Sequence, residues 1–410
     1  MAEKVNHSER AHALLSASSA ERWLSCAPSA VLEDNYPDQS SEYALEGTLA
    51  HELAELKLRS KLNLVLNRRE TEEETKRRRE KTKEIQESNF YSKEMEEHTS
   101  NYVNYIIEEF MAVRLYDKAA VLFIEARLNF SHIVPEGFGT GDAVILGNGV
   151  MKVIDLKYGA GKKVDAVENS QLKLYGVGAV AMFDDLYEFE AVELVIYQPR
   201  MDNISVYATT VEALDTWATQ TVAPRAEQAF KGEGELVTGD HCGFCKHRVK
   251  CRAMFDETVD LFDKAVSDDL RTVSDNEILE VFKKSDRVSK YLSAVASYIL
   301  SEALSGKSWE GYKLVEGRSV RTISDEDKAE EILKANGFGI EDLYNMKMKG
   351  LGDLEKLVGK KEFNELLKGV IVKPAGKPTL APESDKRPAI NITETAQKLF
   401  DALPEEEDEI

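Results

Sequence analysis

Long apolar runs are missing from this chain. No stretch approaches the roughly 20 consecutive apolar residues that a membrane helix needs, so no spanning helix is expected. The opening residues, Met1 to Arg10, are polar and carry none of the apolar stretch of a secretory signal. Cysteine is scarce, with four in 410 residues, too few for a disulfide scaffold. A cytoplasmic protein is the expectation, and in a reducing compartment clustered cysteines more often bind metal. Positive charge is in deficit: 53 Lys and Arg face 74 Asp and Glu, for a net charge of −21. Such a chain repels phosphate at long range. Any contact with nucleic acid therefore needs a local basic or metal-filled groove. Part of the excess is local, in the tail Glu405-Glu406-Glu407-Asp408-Glu409. What is present is a hydrophobic fraction of 42%, enough for a real core spread over two or three domains.

Periodicity then orders the chain. Ser18 to Cys26 reads as a short helix, and Glu42 to Leu62 as a longer one with Leu45, Leu49, Leu53 and Leu56 on one face. Arg68 to Ser88 is densely charged and mixed in sign, which suits an exposed helix or an excursion. An amphipathic helix follows with Tyr102, Tyr105, Ile106 and Phe110. Strands are predicted at Val121 to Leu128, Gly141 to Leu146 and Val150 to Leu156, the last two joined by the hairpin signal Gly147-Asn148-Gly149. A helix from Val167 to Phe183, strands at Val192 to Gln198 and Ile204 to Tyr207, and a helix from Val211 to Phe230 complete this part. After Lys264 the texture becomes helical, with one long amphipathic helix over 275–305 and short ones over 325–368. Val372 to Ile390 is rich in proline and lysine and reads as extended.

Two groups of residues carry chemistry. Side chains alternate along a strand, so Asp155 and Lys157 point to one side. A carboxylate and an ammonium are costly to leave in a core. They are explained if Asp142 and Asp155 hold a hard divalent cation, whose bound water becomes a nucleophile, with Lys157 orienting that water or neutralising charge on a phosphate. A D-x-K by itself is more often a solvated strand face. Its company is Gly47-Thr48-Leu49-Ala50-His51 upstream and Gln171-Leu172-Lys173-Leu174-Tyr175 downstream, both in helices. The second group is Cys242-Gly243-Phe244-Cys245 followed by Cys251, a C-x2-C-x5-C run, with Cys26 as the remaining thiol. Such spacing binds one metal centre from tight turns. Zinc and an iron–sulfur cluster both accept four thiolates, and spacing does not separate them.

The ordered series Gly47-x-x-x-His51, Gly141-Asp142, Asp155-x-Lys157 and Gln171-x-x-x-Tyr175 resembles the RecB-like branch of the PD-(D/E)XK nucleases over residues 18 to 255. That resemblance implies an α/β, restriction-endonuclease-like core, a small mixed sheet flanked by helices, followed by a mostly helical C-terminal region. It implies that His51, Asp142, Asp155 and the backbone carbonyl of Leu156 ligate Mg²⁺ or Mn²⁺. Lys157 then serves the attacking water, and Gln171 and Tyr175 position substrate and active-site groups. Glu52 reads as a solvated surface residue, and Glu125 as a nearby acid without an assigned role. Nucleases of the AddB and CRISPR-associated types place one cysteine before these motifs and three after. The same placement of Cys26, Cys242, Cys245 and Cys251 implies a [4Fe–4S] cluster, with Zn²⁺ the alternative. Lys246, Arg248, Lys250 and Arg252 make the cysteine segment basic, to meet DNA phosphate or to balance thiolate charge.

The expected organisation is a nuclease domain over 1–265, a helical domain over 270–370 and an extended segment with acidic tail over 371–410. The run from Lys307 to Lys313 with Arg318 and Arg321 interleaves aromatics with basic residues, which suits single-strand binding or a small hairpin burying Trp309. The whole layout resembles an uncharacterised phage and prophage family. The implied activity is a metal-dependent deoxyribonuclease, an exonuclease of phage DNA replication or recombination in the cytoplasm of a bacterial host. Its implied partners are single-stranded DNA or duplex ends and a phage single-strand-binding or recombination protein, with no membrane. The alternative is a nuclease-like fold that holds DNA or a replication partner and rarely cuts.

Overall fold

The runs rich in valine and isoleucine form one sheet in a computed structural model that describes residues 13–37, 42–184, 187–263, 273–315, 326–335, 339–343 and 359–367. Strands β1 (Val121–Asn129), β2 (Phe138–Gly147), β3 (Val150–Leu156), β4 (Ala191–Gln198) and β5 (Asn203–Thr209) lie side by side in chain order. All neighbours are antiparallel except β3 and β4. A parallel pair needs a crossover, and helix α6 (Ser170–Phe183) supplies it. The turn predicted between β2 and β3 forms, with Asn148 and Gly149 at φ 54° and 70°. Left-handed backbone at both positions matches the twist of the flanking strands.

Alternation along the strands sends side chains to two helical layers. Val144, Leu146, Met151 and Val153 enter a core with α6, α1 (Ala20–Ser25) and α7 (Val211–Trp217), where Trp23 is fully buried. Ala143, Ile145, Ile154 and Leu156 meet Tyr102, Ile106 and Phe110 of α5 (Lys93–Tyr116), joined by α3 (Glu42–Val65). The fold is thus the expected α/β class, a small mixed sheet flanked by helices. Helix α2 (Ser29–Glu33) follows α1 closely.

Three stretches differ in detail from the sequence reading. The charged stretch after Arg68 is a helix, α4 (Glu72–Gln86), started by a capping box in which Thr71 and Glu74 satisfy each other's backbone N–H. Its one buried residue is Ile85. The helix expected over 211–230 is split: α7 gives way to a π turn at Ala218–Val222 and then to α8 (Ala223–Lys231). Pro224 has no N–H to give and its ring crowds the preceding turn, which widens there. Finally, a first compact unit runs from Met1 to Leu314 and a second from Val315 to Ile410. The boundary lies beyond the expected 265–270 because α10 (Asp275–Leu304) buries Tyr291 against Cys242 and Met254, while its Arg287 pairs with Glu257 of α9 (Arg252–Asp263).

Trp309 forms no strand: its Nε1 donates to the Ile299 carbonyl at 3.2 Å, folding it back on the end of α10. Arg318, Arg321 and the extended segment over 371–410 lie outside the described residues. The second unit contributes helices α11 (Glu326–Ala335), α12 (Ile340–Leu343) and α13 (Lys360–Leu366).

Candidate functional site

The polar residues singled out in the sequence meet at one end of the sheet. Asp142 on β2 is the hub: its Oδ1 lies 3.1 Å from His51 Nδ1 on α3, and its Oδ2 accepts the backbone N–H of Leu156 at 2.7 Å. Asp155 ends β3 and is 3% exposed. Its Oδ1 accepts from Gln171 Nε2 at 3.0 Å, and its Oδ2 forms an ion pair with Lys157 Nζ at 3.0 Å. Lys157 Nζ also donates to Gln171 Oε1 at 2.8 Å, and Gln171 Nε2 donates to the Tyr175 hydroxyl at 3.1 Å. Gln171 and Tyr175 stand one turn apart on α6, so one helix face receives the strand-end pair Asp155 and Lys157. For Leu156, the contact observed is through its N–H.

Glu125 belongs to this group, and the sequence reading gave it no role. Ligand atoms of His51, Glu125 and Asp142 lie within 4.8 Å of one another, the one such set of three or more among the described residues. Glu125 sits opposite Asp142 but falls out of the ladder, between the pairs Ile124↔Ala143 and Ala126↔Gly141. Its φ is 53°, a sterically strained value for a residue with a Cβ. Arg59 Nη2 donates to the Ile124 carbonyl beside this kink at 3.2 Å. The available signal was an acid inside the otherwise β-rich run VLFIEARL.

Electrostatics separate the members. Burial would lower the His51 imidazole, but Asp142, Asp155 and Glu125 outweigh it and lift it from 6.5 to about 9. Burial, with Asp142 and Glu55, pushes Glu125 from 4.5 to about 7. Burial also raises Asp155, against the pull of Lys157, whereas His51 and the Leu156 N–H overcome burial and hold Asp142 below the usual carboxylate range. Two polar atoms remain under-satisfied: Asp155 Oδ2 accepts no hydrogen bond beyond its ion pair, and the buried Tyr102 hydroxyl has no partner. The Tyr102 hydroxyl is held far above its ordinary range by burial and by Asp142, Asp155 and Glu125. Imidazole plus carboxylates, with orphaned polar atoms beside them, fit a divalent cation.

The four cysteines line one small cavity of about 20 Å³, together with His241 and Met254. Cys26 follows α1; Cys242 and Cys245 are linked by a Cys245 N–H to Cys242 carbonyl bond of 3.2 Å; Cys251 precedes α9. Among the described residues no three cysteine sulfurs stand within 4.8 Å of one another, whereas one tetrahedral zinc would set them about 3.8 Å apart. Burial pushes Cys245 up to about 12 and also raises Cys242. Other bonds tie the two segments. Glu33 Oε1 accepts the Lys246 N–H at 2.7 Å and Glu33 Oε2 pairs with Arg22, while Tyr36 OH lies 3.1 Å from His247 Nδ1. In the basic patch, Arg252 pairs with Asp256, Arg248 donates to the Gly243 carbonyl, and Lys250 lies over Tyr36 and Tyr298.

A family model described as protein of unknown function (DUF2800) matches residues 12–388, a span that holds every one of these residues. The chain belongs to the DUF2800 family. A solved structure titled "Crystal structure of SSO0001" is similar to this DUF2800 protein over 48% of its chain and 94% of the other, at 18% identity and a TM-score of 0.21. A likeness of that size carries no argument about fold or function.

Proposed function

We propose that this DUF2800 protein is a divalent-cation-dependent deoxyribonuclease. The observation that supports it is the meeting at the end of β3 of two hydrogen-bonded sets, His51 with Asp142 and Asp155 with Lys157, Gln171 and Tyr175, joined where Asp142 accepts the Leu156 N–H. His51, Asp142 and Asp155 would hold Mg²⁺ or Mn²⁺, with Glu125 beside them. Bound there, the ion supplies a water of lowered pKa and a counter-charge for the phosphodiester. Lys157 presents a cation where negative charge grows on the phosphate. Gln171 fixes the Lys157 ammonium and the Asp155 carboxylate together, and Tyr175 fixes Gln171. The expected result is cleavage of linear DNA by the purified protein with Mn²⁺, lost in Asp155→Asn. Full cleavage by that variant sinks the assignment.

For Cys26, Cys242, Cys245 and Cys251 we infer a [4Fe–4S] cluster, since the four thiols line one cavity and one cysteine precedes and three follow the carboxylate–lysine motifs. Anaerobically purified protein should be brown, absorb near roughly 400 nm and contain iron. A colourless protein with one zinc per chain replaces this reading.

A further inference from the structure

Three glycines flank the candidate site without an internal reason to be glycine. A Cβ added to Gly47, Gly159 or Gly161 would meet nothing within 4 Å, and none of the three has a left-handed φ. Gly47 lies inside α3, one turn before His51, where glycine weakens a helix relative to alanine. Gly159 and Gly161 lie in the connection just after Lys157, exposed at its tip with Ala160, Lys162 and Lys163. Glycine that the chain itself does not require is explained by close approach of something outside it.

That connection is built, not slack. Gln198, 1% exposed, donates from Nε2 to the carbonyls of Gly159 (2.8 Å) and Lys162 (2.9 Å) and accepts the Val164 N–H at 3.1 Å. Asn203, 5% exposed, donates to the Val164 carbonyl at 2.8 Å. Two buried amides with their hydrogen bonds filled hold the tip in one shape. The α3 end is tied to the same loop, because Glu46 pairs with Arg200 at 2.9 Å and Arg200 lies over the Tyr158 ring. In a chain of net charge −21, Lys162 and Lys163 make no ion pair among the described residues. The adjoining Asp155 Oδ2 is buried and has the Lys157 ammonium, at 3.0 Å, as its one partner among the described residues.

We propose that Gly47, Gly159 and Gly161 form the floor, and Lys162 and Lys163 the cationic rim, of a seat for the sugar–phosphate backbone of a DNA strand beside Lys157. The glycines let the backbone lie close, and the two ammonium groups meet phosphates neighbouring the reacting one. The inference rests on the nuclease reading for the identity of the polyanion.

The test is fluorescence anisotropy of the full-length protein with a labelled single-stranded DNA of about 20 nucleotides, without divalent cation so that no cleavage intervenes. The double variant Lys162→Gln/Lys163→Gln should bind about tenfold more weakly at low salt. Its plot of log K against log salt should flatten by about 1.4, two contacts at roughly 0.7 each. Gly161→Ala should keep or raise Tm, since the methyl meets open space, yet weaken binding several-fold. An unchanged Kd in either variant, a lowered Tm for Gly161→Ala, or tighter binding of the matching RNA overturns the proposal. Cleavage is read separately. Wild-type protein that binds through this loop but never cuts with Mn²⁺ removes the nuclease reading and leaves the seat standing; cutting with binding unchanged in both variants does the reverse.

Discussion

The carboxylate site stands on strands and a long helix, whereas the cysteine site stands on tight turns. Asp142 stands on β2, Asp155 is paired with Ile196 of β4, the Lys157 N–H is bonded to the Tyr197 carbonyl, and Gln171 and Tyr175 are carried by α6. Cys242, Cys245 and Cys251 sit in short turns between α8 and α9, and Cys26 joins them from about 200 residues away. Regular elements hold a site open at the expense of neighbouring packing; turns need the bound group itself to hold them. The first site should therefore lose function without losing shape, and the second should lose both together.

The largest expected effect follows. Cys242→Ser should abolish the absorbance near roughly 400 nm and lower Tm by about 10 °C or more, because binding energy of a structural metal centre is folding energy. The bonds from Glu33 and Tyr36 limit the loss but do not replace four thiolates. A melting curve that matches wild type would erase the contrast between the two sites. At the strand end, Lys157→Met should cut Mn²⁺-dependent cleavage by about 100-fold or more, with Tm moving by no more than a few degrees. Its side chain is 29% exposed, and methionine keeps the apolar stem that is buried. A variant that melts far lower would instead make Lys157 part of the framework.

A smaller effect tests how rigid the strand site is. A Cβ at Gly139 would lie 2.6 Å from Tyr175 Cε1. Gly139→Ala must push the ring and with it the hydroxyl that accepts from Gln171. Overpacking of this kind costs about 1–3 kcal/mol, and cleavage should fall along with it. Unchanged melting and activity would show the ring free to move, and Tyr175 dispensable for positioning.

Much of this was readable in the residues. The strands declared themselves through β-branched runs and the Gly147-Asn148-Gly149 turn, and His51, Asp142, Asp155, Lys157, Gln171 and Tyr175 through their order. Glu125 was hidden because its place depends on one φ of 53°, which no spacing encodes. Gly139 was hidden behind Gly141, since only packing reveals which glycine the Tyr175 ring covers. The first unit's extent was hidden because α10 buries only Val288 and Tyr291 in 30 residues, too little for periodicity to name its partner.

The smallest expected effect is a pH dependence confined to the strand site. His51 is raised from 6.5 to about 9, so its contribution to stability is complete below 6.5 and is lost as pH climbs through 9. Glu125 is raised from 4.5 to about 7, which favours its neutral form in the fold and costs stability as pH rises across that interval. Both signs agree, so metal-free protein should melt a few degrees lower at pH 9 than at pH 6. Mn²⁺ should oppose this trend, and increasingly so at high pH, because His51 must shed its proton to become a ligand. Melting curves from pH 5.5 to 9, with and without Mn²⁺, read the difference. If the Mn²⁺ shift in Tm stops growing above pH 7, once Glu125 has lost its proton, His51 is not among the ligands, and the strand site holds its cation on Asp142, Asp155 and Glu125 alone.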